Sequence, residues 1–131
     1  MTEVIQAEPM PATARSARFM MTLEVAFSLV GLAMMIGTAA AAFSVPFLLL
    51  ILYVGSITAL MGWLLSRWPS RRKFVRWGVI AVEVVAGGGY LAMAALDGDL
   101  GWINLLGPNT LLPLAVVVAL LMPSAARWFD R

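Results

Sequence analysis

The chain has 131 residues, of which 62% are hydrophobic and 12% charged, with a formal net charge of +2. Soluble domains are about half apolar and about a quarter charged, so this composition predicts a single-domain membrane protein. The sequence contains no cysteine and no histidine, which removes disulfides, thiol nucleophiles and the commonest zinc and haem ligand. We therefore expect no enzymatic activity, no metal and no cofactor.

Four apolar stretches reach the roughly 20 residues that a helix needs to cross the hydrocarbon core. The sequence therefore predicts an all-α membrane protein, an up-down bundle of four transmembrane helices. The predicted spans are 19–41, 46–66, 72–96 and 110–128. Residues 1–17 are predicted to be a polar cytoplasmic tail, and residues 18–131 the transmembrane domain.

Prolines mark several helix boundaries. Pro46 suits the first turn of the second span, and Pro69 breaks the chain in the loop before the third. Pro113 is predicted in the first turn of the fourth span, and Pro123 is predicted to kink that span near its end. The segment "TAAAAFS" also resembles a signal-peptide cleavage site, an alternative that the length of the first span and Glu24 disfavour.

All nine Lys and Arg residues fall on the side of the membrane that holds both termini and the middle loop of a four-span chain. They are Arg15, Arg18, Arg67, Arg71, Arg72, Lys73, Arg76, Arg127 and Arg131. The opposite side carries Asp97 and Asp99 and no cation. By the positive-inside rule both termini are predicted to be cytoplasmic, in a multi-pass protein of the cell's inner (plasma) membrane.

Two glutamates lie inside the predicted spans, Glu24 in the first and Glu83 in the third. Both spans run outward, and each glutamate lies roughly 8–9 Å below the cytoplasmic interface at 1.5 Å per residue. A charge facing lipid is costly there, so both are predicted to face the bundle interior. Ser28 shares the face of Glu24, and Gly87 and Tyr90 share the face of Glu83.

A short pattern recurs around the two glutamates. Glu24-Val25 precedes Leu32-Ala33-Met34, and Glu83-Val84 precedes Leu91-Ala92-Met93, at an offset of 59 residues. Chance and duplication explain this pattern about equally well. A duplication would make the chain a 2+2 parallel internal repeat, with the two hairpins related by an axis along the membrane normal.

Two roles for the glutamates are open. Buried carboxyl groups close together titrate as a coupled unit, which suits a proton or cation site. Alternatively Arg76, on the same face as Glu83, pairs with either glutamate in a structural ion pair. The sequence favours an accessory or structural subunit, with a small proton- or cation-coupled transporter using Glu24 and Glu83 as the alternative.

Small residues predict the remaining helix contacts. Gly55, Ala59 and Gly62 form a stripe on the second span, and residues 87–89 are three glycines that leave room for a neighbouring helix. The fourth span has no ionisable residue before its end, and it is predicted to be a lipid-facing wall or a packing partner.

The segment "RWPSRRKFVRW", residues 67–77, combines cations with aromatic residues. In a membrane protein this pattern predicts contact with anionic lipid head groups, and nucleic-acid binding is not expected. The candidate lipid-contact residues are Arg67, Arg71, Arg72 and Lys73. Membrane lipids are thus the expected partners, and a homo-oligomer or a larger membrane complex is left open.

The ending "LMPSAARWFDR" resembles the last helix and cytoplasmic cap of many small four-helix bacterial membrane proteins. This resemblance implies a fold and no activity. The chain is also similar in size to the small multidrug-resistance exporters, which carry a glutamate in their first helix. Those proteins lack a second membrane glutamate equivalent to Glu83, so the similarity covers only the size and one carboxyl group.

Overall fold

The computed structural model describes residues 9–98 and 100–130. Every regular element in those ranges is a helix: α1 (Ala12–Ala41), α2 (Val45–Ser66), α3 (Lys73–Leu96), α4 (Trp102–Leu106), α5 (Pro108–Leu121) and α6 (Pro123–Trp128). A single 3-10 turn, Trp68–Ser70, lies between α2 and α3. Three of these helices, α1, α2 and α3, are long and apolar enough to cross a membrane.

The helix α1 begins at Ala12, about two turns before the predicted start of the first span and inside the predicted tail. Ala14, Ala17 and Met21 are fully buried and lie on one face, which gives this early part of α1 a packing partner. Arg15 and Arg18 are exposed on other faces, so they do not interrupt the helix. The prediction from hydropathy stopped at these two cations, and packing extends the helix past them.

The fourth span differs most from its prediction, because residues 110–128 are divided between α5 and α6. Met122 is extended, with φ −62° and ψ 142°, since the residue before a proline is disfavoured in the helical region. The 14 residues of α5 extend about 21 Å, less than the roughly 30 Å of a hydrocarbon core. The fold is therefore three long apolar helices and a short fourth, and the predicted bundle of four membrane-spanning helices is not confirmed.

The helices form a ring in which α1 packs against α2 and α5, while α3 packs against α5 and α2. The helices α1 and α3 consequently stand at opposite corners and face each other across the centre of the bundle. The fourth span was predicted as a wall or a packing partner, and α5 is a packing partner of both. The predicted internal repeat stays a prediction, and its hairpins are unequal, since α2 has 22 residues and α5 has 14.

The buried side chains concentrate at the end of the bundle that carries the cations, which we call the basic end. There the start of α1, the loop between α2 and α3, and the C-terminal α6 meet. Thr13 Oγ1 and Ser124 Oγ share a hydrogen bond of 2.7 Å, and the rings of Trp68 and Phe129 meet edge to face at 5.1 Å. This end is therefore closed by tight packing.

One of the three consecutive glycines allows a close helix contact. A Cβ atom on Gly87 would lie 3.3 Å from Cβ of Pro113, whereas one on Gly88 would meet nothing within 4 Å. Pro113 lies inside α5 rather than in its first turn, because α5 begins earlier than predicted. Gly87 thus provides the space in which α3 accommodates the proline of α5.

This contact gives a matched pair of variants. We expect Gly87→Leu to destabilise the fold by about 1–3 kcal/mol, because the added side chain overlaps a buried, rigid ring. The control is Gly88→Leu, which adds the same side chain to an exposed position on the next residue. Thermal unfolding of the purified variants in detergent measures the difference, and equal midpoints for the two variants would contradict the proposed contact.

Candidate cation site

The carboxyl groups of Glu24 and Glu83 lie close together in the centre of the bundle, near enough to interact electrostatically. Glu24 is 9% exposed and Glu83 is 0% exposed. Glu24 is on α1 and Glu83 is on α3, the two helices that face each other across the ring. Their long side chains therefore span the gap between the two backbones. The two sequence-predicted glutamates are therefore brought together.

Among the described residues, all four carboxyl oxygens of the pair are buried and have no hydrogen-bond partner. An ionised carboxylate can only accept hydrogen bonds, so two of them in contact have no donor between them. A hydrogen bond between Glu24 and Glu83 therefore needs at least one proton shared by the pair. The arrangement can hold a proton, or it can replace a proton with another positive group.

Arg76 lies elsewhere. Its Nε donates a hydrogen bond of 2.7 Å to the backbone oxygen of Leu120, and its guanidinium lies over the ring of Trp77 at 4.8 Å from the ring centre. Within the described residues no ion pair joins Arg76 to either glutamate. The structure thus separates the three candidate residues into a glutamate pair and an arginine bound to the end of α5.

A cavity of about 800 Å³ lies directly beside the pair, with Glu24 in its wall. On α3 the lining runs from Ala86, one turn beyond Glu83, to Asp97, a length of about 16 Å at 1.5 Å per residue. Asp97 and Asn109 at its far end are exposed. The polar residues along its wall are Glu24, Ser28, Tyr53, Thr58, Tyr90, Asp97, Asn104 and Asn109.

The cavity is closed toward the basic end. Between the glutamates and the basic end, the centre of the bundle is filled by fully buried side chains that pack in one cluster. They are Met21, Val79, Val116 and Leu120. Above Glu24 the wall passes to exposed residues of the loops that join α3, α4 and α5. Glu24 is the member of the pair that reaches the cavity, while Glu83 lies behind it.

Hydrogen bonds fix the two tyrosines of the wall. The hydroxyl of Tyr53 donates to the backbone oxygen of Val85 at 3.1 Å, and the hydroxyl of Tyr90 donates to Oδ1 of Asn104 at 3.1 Å. Tyr53 approaches α3 at Gly89, where a Cβ atom would collide with the tyrosine hydroxyl. The glycines thus serve two contacts, one with Pro113 and one with Tyr53.

Several wall residues were not found from the sequence. The predicted stripe on α2, Gly55, Ala59 and Gly62, is not its buried face, because Ala59 is exposed and a Cβ on Gly62 would meet nothing within 4 Å. The buried face carries Thr58, with Met61 and Leu64 on the following turns. These positions are spaced three residues apart, and this helical spacing could have predicted the buried face of α2. The prediction was based on small residues instead.

The four predicted lipid-contact residues differ in their surroundings. Arg71 Nε donates to the backbone oxygen of Trp128 at 2.9 Å, and Lys73 Nζ lies 2.7 Å from Oδ1 of Asp130. Arg67 lies over the ring of Trp63 at 5.7 Å, and Arg72 is exposed. Arg71 therefore ties the loop to α6, and lipid contact by the four stays a prediction.

Comparison of the chain with protein-family models, with curated proteins and with solved structures finds no match.

The Lys73–Asp130 pair allows a test of the basic end. The hydrogen bond and the charge of Lys73 lower the pKa of Asp130, so we expect Lys73→Gln to raise that pKa toward its ordinary value. The pair stabilises the fold above the ordinary pKa of aspartate, and this contribution is lost as the pH falls through the lowered value. A carbon-detected NMR titration of the Asp130 carboxyl measures the shift.

The control for this titration is Arg72→Gln, which removes the same charge from the neighbouring residue without removing the hydrogen bond. It is expected to change the pKa of Asp130 much less than Lys73→Gln does, since screened exposed charges interact weakly. An equal change in the two variants would mean that the local pair is absent in solution.

Proposed function

We propose that this chain is a small membrane carrier that exchanges a proton for a monovalent cation at the Glu24–Glu83 pair. The observation that carries the proposal is the proximity of two buried carboxyl groups beside a cavity, whose oxygens have no hydrogen-bond partner among the described residues. Ionisable residues inside membrane segments commonly belong to ion or proton pathways. Arg76, the partner that the ion-pair alternative needs, donates its Nε–H to the backbone oxygen of Leu120, which supports the proposal over that alternative.

Charge balance explains why a proton and a cation would replace each other at this pair. The pair with one shared proton carries one negative charge, and surroundings of low dielectric favour a neutral site. A second proton neutralises the pair, and so does one monovalent cation beside Glu24. Since either occupant alone is sufficient, the two exclude each other and the exchange is one for one.

Closure of the cavity toward the basic end fits such a carrier. Alternating access requires a site that opens to one side while the other side is closed. The cavity reaches Glu24 from the end that carries Asp97, while the packed basic end closes the opposite route. In this conformation the pair exchanges its occupant with the side of the membrane that faces the α3–α4 loop.

We also infer the orientation of the chain from its charges. The cations of the described residues gather at the basic end, and the positive-inside rule assigns such an end to the cytoplasm. Both termini are then cytoplasmic in the plasma membrane, and the cavity opens to the outside. Membrane lipids and a homo-oligomer or larger complex remain the proposed partners.

A second candidate is an accessory or structural subunit, in which the pair only fixes the packing of α1 and α3. The specific observation in its favour is that Glu83 is fully buried and does not line the cavity. A hydrogen bond between the two facing helices, formed with one proton between the carboxyl groups, would stabilise their packing. The two candidates differ in what a charge-neutral substitution does.

The carrier proposal predicts that Glu24→Gln and Glu83→Gln each abolish exchange and preserve the fold, because glutamine keeps hydrogen bonding and cannot exchange a proton. The full chain is reconstituted into liposomes that contain a pH-sensitive dye. Addition of external Na⁺, K⁺ or benzyltrimethylammonium then tests each cation for a rise in internal pH. Circular dichroism and thermal unfolding report the fold.

Asp130→Asn is the control, since it neutralises an exposed carboxyl group outside the cavity and is expected to exchange at the wild-type rate. Exchange by both glutamine variants at the wild-type rate would refute the carrier. Glutamine variants that fail to assemble would favour the structural candidate. Absence of a pH response by the wild-type chain to all three cations would also count against the carrier.

The orientation is tested with single cysteines, because the natural chain has none. We expect a membrane-impermeant maleimide to label Leu100→Cys in intact cells and Ser70→Cys only after permeabilisation. Both positions are exposed and lie at opposite ends of α3. The reverse pattern would place the basic end outside the cell.

A further inference from the structure

We propose that the basic end binds a phosphate group in a second cavity, where the start of α1 meets α6. This α1–α6 cavity has a volume of about 340 Å³ and is lined by Pro9, Pro11, Ser124, Arg127 and Trp128. It shares no lining residue with the cavity beside Glu24, so this inference goes beyond the proposed exchange and does not depend on it. The inference is carried by the donors of the lining, by the uncapped start of α1 and by the position of the cavity in the membrane.

The helix α6 presents one face to this cavity. Ser124, Arg127 and Trp128 are three and four residues apart, a spacing that places side chains on the same side of a helix. The hydrogen bond of 2.7 Å between Ser124 Oγ and Thr13 Oγ1 holds this face against the first turn of α1. Contacts between two helices therefore position the lining residues.

Three side chains of the lining carry hydrogen-bond donors, and none carries a carboxylate. Arg127 is exposed, and among the described residues no ion pair joins it to an acidic side chain. Arginine presents a planar fork of N–H groups that matches two oxygens of a phosphate. The hydroxyl of Ser124 is a further donor when Thr13 donates the hydrogen bond between them.

The indole of Trp128 points to a bound acceptor. Trp128 lines the cavity and is 6% exposed, yet its Nε1 has no hydrogen-bond partner among the described residues. A buried N–H without an acceptor is costly, and an oxygen atom of a phosphate in the cavity would satisfy it. The guanidinium of Arg71 lies over the same ring, 5.0 Å from its centre, and adds positive charge beside the indole.

The start of α1 supplies backbone donors. The N-cap residue Pro11 has no side chain that accepts a hydrogen bond, and the first turn contains no acidic residue. The N–H of Arg15 donates to the backbone oxygen of Pro11, so the N–H groups of residues 12–14 precede the first helical hydrogen bond and have no helical acceptor. In a helix of 30 residues these groups form the positive end of the dipole, which favours an anion.

The position of the cavity identifies the anion. Arginine and tryptophan residues gather at the basic end, a combination typical of the level of the lipid head groups on the cytoplasmic side. Phospholipids carry a phosphate group at this level, and soluble phosphate compounds present the same group from the cytoplasm. The tetrahedral oxygens of one phosphate can accept from α1 and α6 together. A bound phosphate would therefore hold α1, the helix that carries Glu24, against α6.

The probes are dioleoylphosphatidylglycerol, dioleoylglycerol and inorganic phosphate. Dioleoylglycerol has the same acyl chains without the phosphate, and native mass spectrometry of the full chain released from an uncharged detergent counts the bound lipid molecules. Equilibrium dialysis measures inorganic phosphate. We expect one phosphatidylglycerol to bind at the lowest lipid concentrations, more tightly than dioleoylglycerol, and inorganic phosphate to compete with it.

Variants of the lining test the side-chain donors. Arg127→Gln is expected to weaken binding of phosphatidylglycerol about tenfold, since it removes a charged, two-pronged donor. The control is Arg18→Gln, which removes an exposed cation of the same end from outside the cavity and is expected to change binding less than about twofold. Trp128→Phe keeps an aromatic ring beside Phe129 and removes the N–H, so it is expected to weaken binding about threefold.

A charge at the start of α1 tests the backbone donors. Pro11→Asp places a carboxylate at the N-cap, where it accepts from the N–H groups of the first turn. It is expected to raise the midpoint of thermal unfolding and to weaken phosphate binding about tenfold. The control is Ser16→Asp, which adds the same charge to an exposed residue about one turn later and is expected to weaken binding much less.

The outcomes decide between the sources of the phosphate and test the site. Binding of phosphatidylglycerol that requires Arg127 and not Arg18 would support a lipid phosphate. The same dependence for inorganic phosphate, without binding of the lipid, would support a soluble phosphate compound. Equal weakening by Arg127→Gln and Arg18→Gln, equal binding of dioleoylglycerol and phosphatidylglycerol, or no binding of either phosphate probe would overturn the inference.

Discussion

The contact between the carboxyl groups of Glu24 and Glu83 is the constraint on which the rest of the bundle depends. A carboxyl group in the interior of a membrane protein is costly, and these two lie close together with no hydrogen-bond partner for their oxygens among the described residues. They are carried by α1 and α3, which stand at opposite corners of the ring. The requirement that both helices direct these side chains to one point therefore fixes the rotation of each helix about its axis.

The short helix α5 allows this meeting. It packs against both α1 and α3, and Pro113 enters the space that Gly87 leaves on α3. This contact brings α5 close to α3 one turn beyond Glu83. Toward the far end α5 begins only at Pro108, where its first residues form part of the cavity rim. One helix thus both tightens the bundle at the glutamates and leaves it open above them.

The sequence predicts the elements that depend on local chemistry. The long apolar runs predicted α2 and α3 to within about one residue, and the rarity of membrane glutamates identified Glu24 and Glu83. Features that depend on which side chains meet across helices were not predicted. The start of α1 at Ala12 requires the packing of Ala14 and Ala17, and the buried face of α2 follows Thr58 rather than the small residues beside it. One sequence shows composition and periodicity, whereas the start of α1 and the buried face of α2 depend on contacts with neighbouring helices.

The position of Arg76 has a local cause with a consequence for the site. Pro123 cannot continue a helix, so α5 ends at Leu121 and its last backbone oxygens lack helical donors. These oxygens form the negative end of a helix dipole, which attracts a cation, and Arg76 donates to one of them on Leu120. With its Nε bound there, Arg76 forms no ion pair with either glutamate among the described residues. The break at Pro123 therefore holds Arg76 at the basic end, and within the described chain the glutamate pair has no cationic partner.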